Sequence, residues 1–159
     1  MKTLLTMATI IALLFNPLFK RVRPFEDIPL EERAALAGMA VDDFVFISSV
    51  TEAESDRSTT GTEGRVMIAL TILNRVNDDR FPDTINGVLT QAGQFSTVRN
   101  GASVTGRTDL SDMAVIEAVQ WLEQGDAPAV LFFNCVGYNY GTPYGDGAIG
   151  GNYFMTWEA

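Results

Sequence analysis

The chain has 159 residues, 47% of them apolar, with 20 acidic against 11 basic side chains, no histidine and one cysteine. That length supports one core and is short for two, and the missing histidines exclude Ser-His and Cys-His nucleophile pairs and a zinc site of ordinary ligand count. All the acids follow Arg23 while both lysines precede it, so the body of the chain repels the phosphate backbones from which nucleic-acid affinity derives.

Residues 1–23 hold an apolar run from Leu4 to Phe19, interrupted by Asn16 and Pro17. The run is shorter than the roughly 20 apolar residues of a membrane-spanning helix. With Lys2 ahead of it, it reads as a signal peptide, and the expected location is the cell envelope or the exterior. No small-x-small cleavage site follows, and Lys20, Arg21 and Arg23 stand on its far side. Membrane association through residues 1–23 is therefore the alternative, and an amphipathic helix packed on the domain is a third reading. Residues 24–159 form the expected catalytic domain.

Residues 27–40 open with an acidic, proline-containing turn and continue in alanine and leucine, which predicts a short helix ended near Gly38. Asp42 or Asp43 is expected to cap a second helix. On it Phe44, Ile47, Val50 and Glu54 are spaced 3, 3 and 4 apart and share one face. Glu54 thus continues an apolar stripe, whereas Glu52 points elsewhere, beside Val45 and Ser48 or Ser49. A glutamate so placed is disposed to be desolvated, as a general acid for glycosidic cleavage requires; the plain alternative is a solvated residue at a helix end.

Residues 55–61 are polar and break the helix. A third, apolar nearly all round, is predicted over residues 62–76 and belongs in the middle of the domain. Arg75 on it is expected to pair with a nearby acid. Asp78, Asp79 and Asp83 lie in a polar turn without the DxDxDG pattern of a calcium loop, and no metal or organic cofactor is expected. A short helix then runs from Phe81-Pro82-Asp83 to Leu89, and residues 94–98 are expected as a short strand. Thr108 caps a helix over residues 109–124, closed by Gly125. Residues 129–134 read as a strand, Cys135 as a small buried side chain, residues 137–151 as a glycine- and tyrosine-rich loop, and residues 152–155 as a last strand or extended segment.

The segment GRVMIALTILNRVNDDRFPDTINGVLTQAGQFSTV, residues 64–98, resembles the SleB-type cell wall hydrolases, whose spore cortex-lytic members carry NRV, FPxT and GQFS in this order and spacing. Phe132-Phe133-Asn134 and the IGGNYF of residues 149–154 extend the likeness, which covers about residues 50–155. The resemblance implies an α+β, mainly α, lysozyme-like single domain with a few short strands, acting on peptidoglycan glycan strands. It implies a lytic transglycosylase in which one glutamate protonates the bond between N-acetylmuramic acid and N-acetylglucosamine and then helps close a 1,6-anhydro ring. The family's glutamate, in an A-E-A motif upstream of E-G-x-V, corresponds to Glu54, with Glu52 the weaker candidate.

The chain is two residues longer than the usual family spacing between Glu54 and Gly64 and lacks a Gly-Glu step there, so a gap would bring Asp56 into register instead. A family histidine corresponds to Asn152. Gln94, Phe95, Ser96, Asn134 and Tyr153 are the candidate substrate-binding residues, and peptidoglycan glycan strands the expected partner; no accessory protein is indicated. A hydrolytic muramidase would need a second carboxylate about 5–9.5 Å away, from Asp56, Glu63 or Asp109. A non-catalytic glycan-binding module of the same fold is the remaining alternative.

Overall fold

The computed structural model describes residues 23–55, 61–98 and 106–157. The expectations for residues 1–22 and for Asp56 lie outside these.

A 3-10 turn at Phe25–Asp27 leads into five helices, α1 Leu30–Leu36, α2 Val41–Glu54, α3 Thr62–Val76, α4 Ile85–Thr90 and α5 Asp109–Gln124, with a second 3-10 turn at Ser96–Val98 between the last two. Three strands close the described chain, β1 Val130–Asn134, β2 Thr142–Ile149 and β3 Asn152–Thr156, in an antiparallel sheet of order β1-β3-β2. No single helix among the described residues is long and apolar enough to cross a membrane.

Local signals explain the helix boundaries well. Gly38 takes a left-handed φ of 63° just past α1, and the Thr108 hydroxyl accepts from the Ser111 amide in a reciprocal capping box at the start of α5. Gly125, at φ 82°, ends that helix. On α3, residues 64–73 are buried without a break, which an all-round apolar helix requires. It packs against α2, α4, α5 and β1, and so forms the centre of the core.

Polar ties lock this framework. Arg33 of α1, itself buried, donates from Nη1 to Asp109 at 2.5 Å and Asp112 at 2.8 Å, while Arg107 reaches the same Asp112 carboxylate. Asn74 of α3 donates to the carbonyls of Pro128 and Val130, both at 2.9 Å, and Arg75 to that of Leu131 at 2.7 Å. The sheet is therefore fastened to the central helix through the start of β1.

Several expectations are corrected. Residues 94–98 form no strand: Phe95 turns into the core and the Val98 amide donates back to its carbonyl at 3.2 Å, closing the 3-10 turn. Asp42 and Asp43 lie in the first turn of α2, whose cap is Ala40 without a side-chain bond. The fourth helix begins at Ile85, capped by the Thr84 hydroxyl. Residues 142–149 are a strand at the sheet's edge: Thr142, Pro143, Tyr144 and Ile149 pair with β3, and Gly145 and Gly147 fall in the irregular stretch between them. Gly141 opens it, at φ 58°, where a Cβ would stand 1.9 Å from the Thr156 carbonyl oxygen. Cys135 is exposed, since the chain leaves the sheet immediately before it.

Candidate active site

The two glutamates at the end of α2 occupy different environments. Successive helical residues turn by about 100°, so positions two apart point nearly opposite ways. Glu52 is 3% exposed. It accepts from Arg65 Nε at 2.8 Å and Nη2 at 3.0 Å, and from the Thr108 hydroxyl at 2.9 Å. These bonds hold Arg65 cationic and raise its pKa above the ordinary arginine value, against the opposing effect of burial. Glu52 thus joins α2, α3 and the cap of α5.

Glu54, the last residue of α2, is half-buried. The Phe44, Ile47 and Val50 side chains of its stripe are fully buried, so the stripe is as expected up to its final member. Its Oε1 accepts from the Thr97 hydroxyl at 2.7 Å and the Thr97 amide at 3.3 Å. Its Oε2 makes no hydrogen bond among the described residues.

The 3-10 turn at Ser96–Val98 thus meets the candidate acid directly, but through Thr97, which the sequence reading did not single out. Ser96 is exposed on the same turn, and Gln94 is exposed two residues before it. Phe95 is buried, with the Arg75 guanidinium carbon 5.5 Å from its ring centroid and Phe133 6.3 Å away; it anchors the turn from beneath. Asn134 accepts the Val136 amide at 2.7 Å, shaping the exit from β1. Tyr153, its neighbour across the sheet, packs edge-on to Tyr138 at 5.0 Å. Asn152 is buried.

Arg75 has no acid beside it among the described residues, contrary to expectation; it is surrounded by the rings of Phe81, Phe95 and Phe132. Of the carboxylates weighed as a second catalytic group, Asp109 is paired to Arg33. Glu63 lines a cleft of about 470 Å³ with Glu117, Gln120, Trp121 and Tyr144, between α3, α5 and β2. Glu54 is not part of that lining. Asp78 forms a surface pair with Arg80, and among the described residues no group of three or more metal-ligating side chains converges.

The profile of the Cell Wall Hydrolase family matches residues 59–140, half of the chain, beginning just after Glu54. A spore cortex-lytic enzyme of Oceanobacillus iheyensis is 37% identical over 73 residues, 45% of this chain and 26% of that protein. One from Bacillus subtilis (strain 168) is 32% identical over 72 residues, 45% of this chain and 23% of that protein. The matches thus span about a quarter of those relatives' lengths. The fold is that of the catalytic domain of the Bacillus cereus SleB protein, with a TM-score of 0.56 and 22% identity over 74% of this chain and 91% of that one. The mainly helical α+β architecture expected from the sequence is the one found.

Proposed function

Because the chain belongs to the cell wall hydrolase family, we propose that it cleaves peptidoglycan glycan strands as a lytic transglycosylase, with Glu54 as general acid and then base. The observation that carries this reading is the Glu54 carboxylate itself, with one oxygen anchored by two donors of Thr97 and the other unbonded. Oε2 gives its proton to the glycosidic oxygen as the bond from C1 of N-acetylmuramic acid breaks. The resulting carboxylate then takes the proton of that sugar's 6-hydroxyl as its oxygen attacks C1, closing the 1,6-anhydro ring. One carboxylate serves both steps, and neither a metal nor an organic cofactor is required.

Two further features support the assignment of roles. Glu52 is engaged by Arg65 and Thr108, so its charge is already spent on holding the fold. Ser96 stands exposed on the turn that carries Thr97 and Gln94 just ahead of it, where a hydroxyl and an amide can meet sugar hydroxyls or acetamido groups, while Asn134 and Tyr153 serve from the sheet. Residues 1–23 would deliver the protein to the envelope or tether it there.

Digestion of purified peptidoglycan, with the muropeptides weighed by mass spectrometry, tests the reaction. Anhydro-muramyl ends are expected. Reducing ends alone would assign a hydrolytic muramidase working with a second carboxylate, and binding without any cleavage would assign a glycan-binding module.

A further inference from the structure

Arg75 is a buried cation that this reaction does not use. It is 4% exposed, its Nη1 lacks a hydrogen-bond partner, and Nε donates to the Leu131 carbonyl. Burial pushes its pKa down to about 10, which still leaves it charged at neutral pH. A desolvated cation without a counter-ion is costly unless other groups stabilise it. Here the faces of three rings do so: the guanidinium carbon lies 5.1 Å from the centroid of Phe81, 5.5 Å from Phe95 and 5.4 Å from Phe132.

One of those rings leads to the candidate acid. The Phe95 carbonyl closes the 3-10 turn by accepting from Val98, and inside that turn Thr97 donates twice to Glu54. We propose that Arg75 is a positioning residue for Glu54: by holding Phe95 against α3 and β1, it sets where the Thr97 hydroxyl and amide meet the carboxylate. The proposal rests on Glu54 being the acid. The contact it explains is one that local sequence preferences leave open, since a three-residue 3-10 turn has little stability of its own.

The test uses the full chain and compares Arg75→Met, Arg75→Lys, Phe95→Leu and Thr97→Val on a soluble glycan fragment, with amide hydrogen exchange read over residues 95–98. Arg75→Met is expected to lower kcat about tenfold with KM nearly unchanged, and to speed exchange at Thr97 by a similar factor, the scale of losing a hydrogen bond to a charged group. Arg75→Lys restores a cation over the rings and recovers part of the loss. Phe95→Leu reproduces it, and Arg75→Met adds less than about twofold in a Thr97→Val background, because the shorter of the two bonds, from the Thr97 hydroxyl, is already lost and only the longer amide contact remains.

A folded Arg75→Met protein with wild-type kcat and wild-type exchange at Thr97, or losses that add in the double variant, would overturn the proposal. If Arg75→Met does not fold, Phe95→Leu decides, and wild-type kcat there overturns it equally. Cleavage that survives Glu54→Gln would instead remove Glu54 as the acid. The exchange result at Thr97 would stand regardless, so the two failures are distinguishable.

Discussion

Glu52 and Glu54 leave α2 two residues apart, yet one enters the junction of three helices and the other the edge of a turn. Glu52 gives both oxygens to Arg65 and one also to Thr108, whereas Glu54 gives one to Thr97 and keeps the other unbonded. A carboxylate with its acceptor capacity committed serves the fold, and one with an oxygen in reserve suits the acid–base role proposed for Glu54. The difference lies in the partners each side chain meets, since both are the same residue type on the same helix.

The sharpest way to break this contrast is to remove each carboxylate in turn. Glu54→Gln is expected to lower glycan cleavage by about 100-fold to 10,000-fold, the usual range for a general acid, with an unchanged thermal midpoint and retained glycan binding. A Glu54→Gln protein that melts early would show that this glutamate, too, is structural. For Glu52→Ala the pattern should invert. Arg65 is left buried beside a lost partner, so chemical denaturation should reveal a loss of about 3–5 kcal/mol, with activity falling only as the folded fraction falls.

Thr108→Ala gives a smaller effect at the same junction. It removes the cap of α5 and one donor to Glu52 together, for a loss of about 1–2 kcal/mol in a denaturant melt; an unchanged midpoint would mean that the three-helix junction does not depend on the cap. The smallest effect belongs to the surface pair of Asp78 and Arg80, which sharpens the comparison by supplying an exposed ion pair against the buried one. Hydrogen bonds from Arg80 hold the Asp78 carboxyl down at about 2, below the ordinary value near 3.9. The pair therefore contributes above about pH 4 and loses that contribution as pH falls through about 2. Asp78→Asn should cost little at pH 7, nothing below about pH 2, and nothing in about 1 M salt. A difference that persists under acid would contradict this sign.

Much of the fold was legible because its signals are local. Thr108 and Gly125 bracket α5 by their own cap chemistry, and residues 66–73, apolar except for Thr71, mark the central helix in any context. The motifs around Asn74-Arg75-Val76 and Gln94-Phe95-Ser96 led to the family. The site was legible only in part: the 3-3-4 spacing singled out Glu54, but nothing local pointed to Thr97, whose contact with it spans 43 residues of chain. The strand at Thr142–Ile149 is not legible locally, because its glycines carry no strand preference and only its two ends, Thr142 to Tyr144 and Ile149, pair with β3. Arg75 was expected beside an acid, since charge in a sequence suggests a counter-charge, and aromatic faces from three separate segments took that place instead.

By itself, then, the sequence determined the helical framework and a pair of candidate glutamates, which depend on residues within a turn or two of one another, and the family resemblance, which depends on the order of short motifs along the chain. Tertiary structure decided which glutamate is locked and which is open, because Arg65 lies 13 residues from Glu52 and Thr108 lies 56 away. Only packing brings such groups within hydrogen-bond reach, and their arrival leaves Glu54 with an oxygen unbonded.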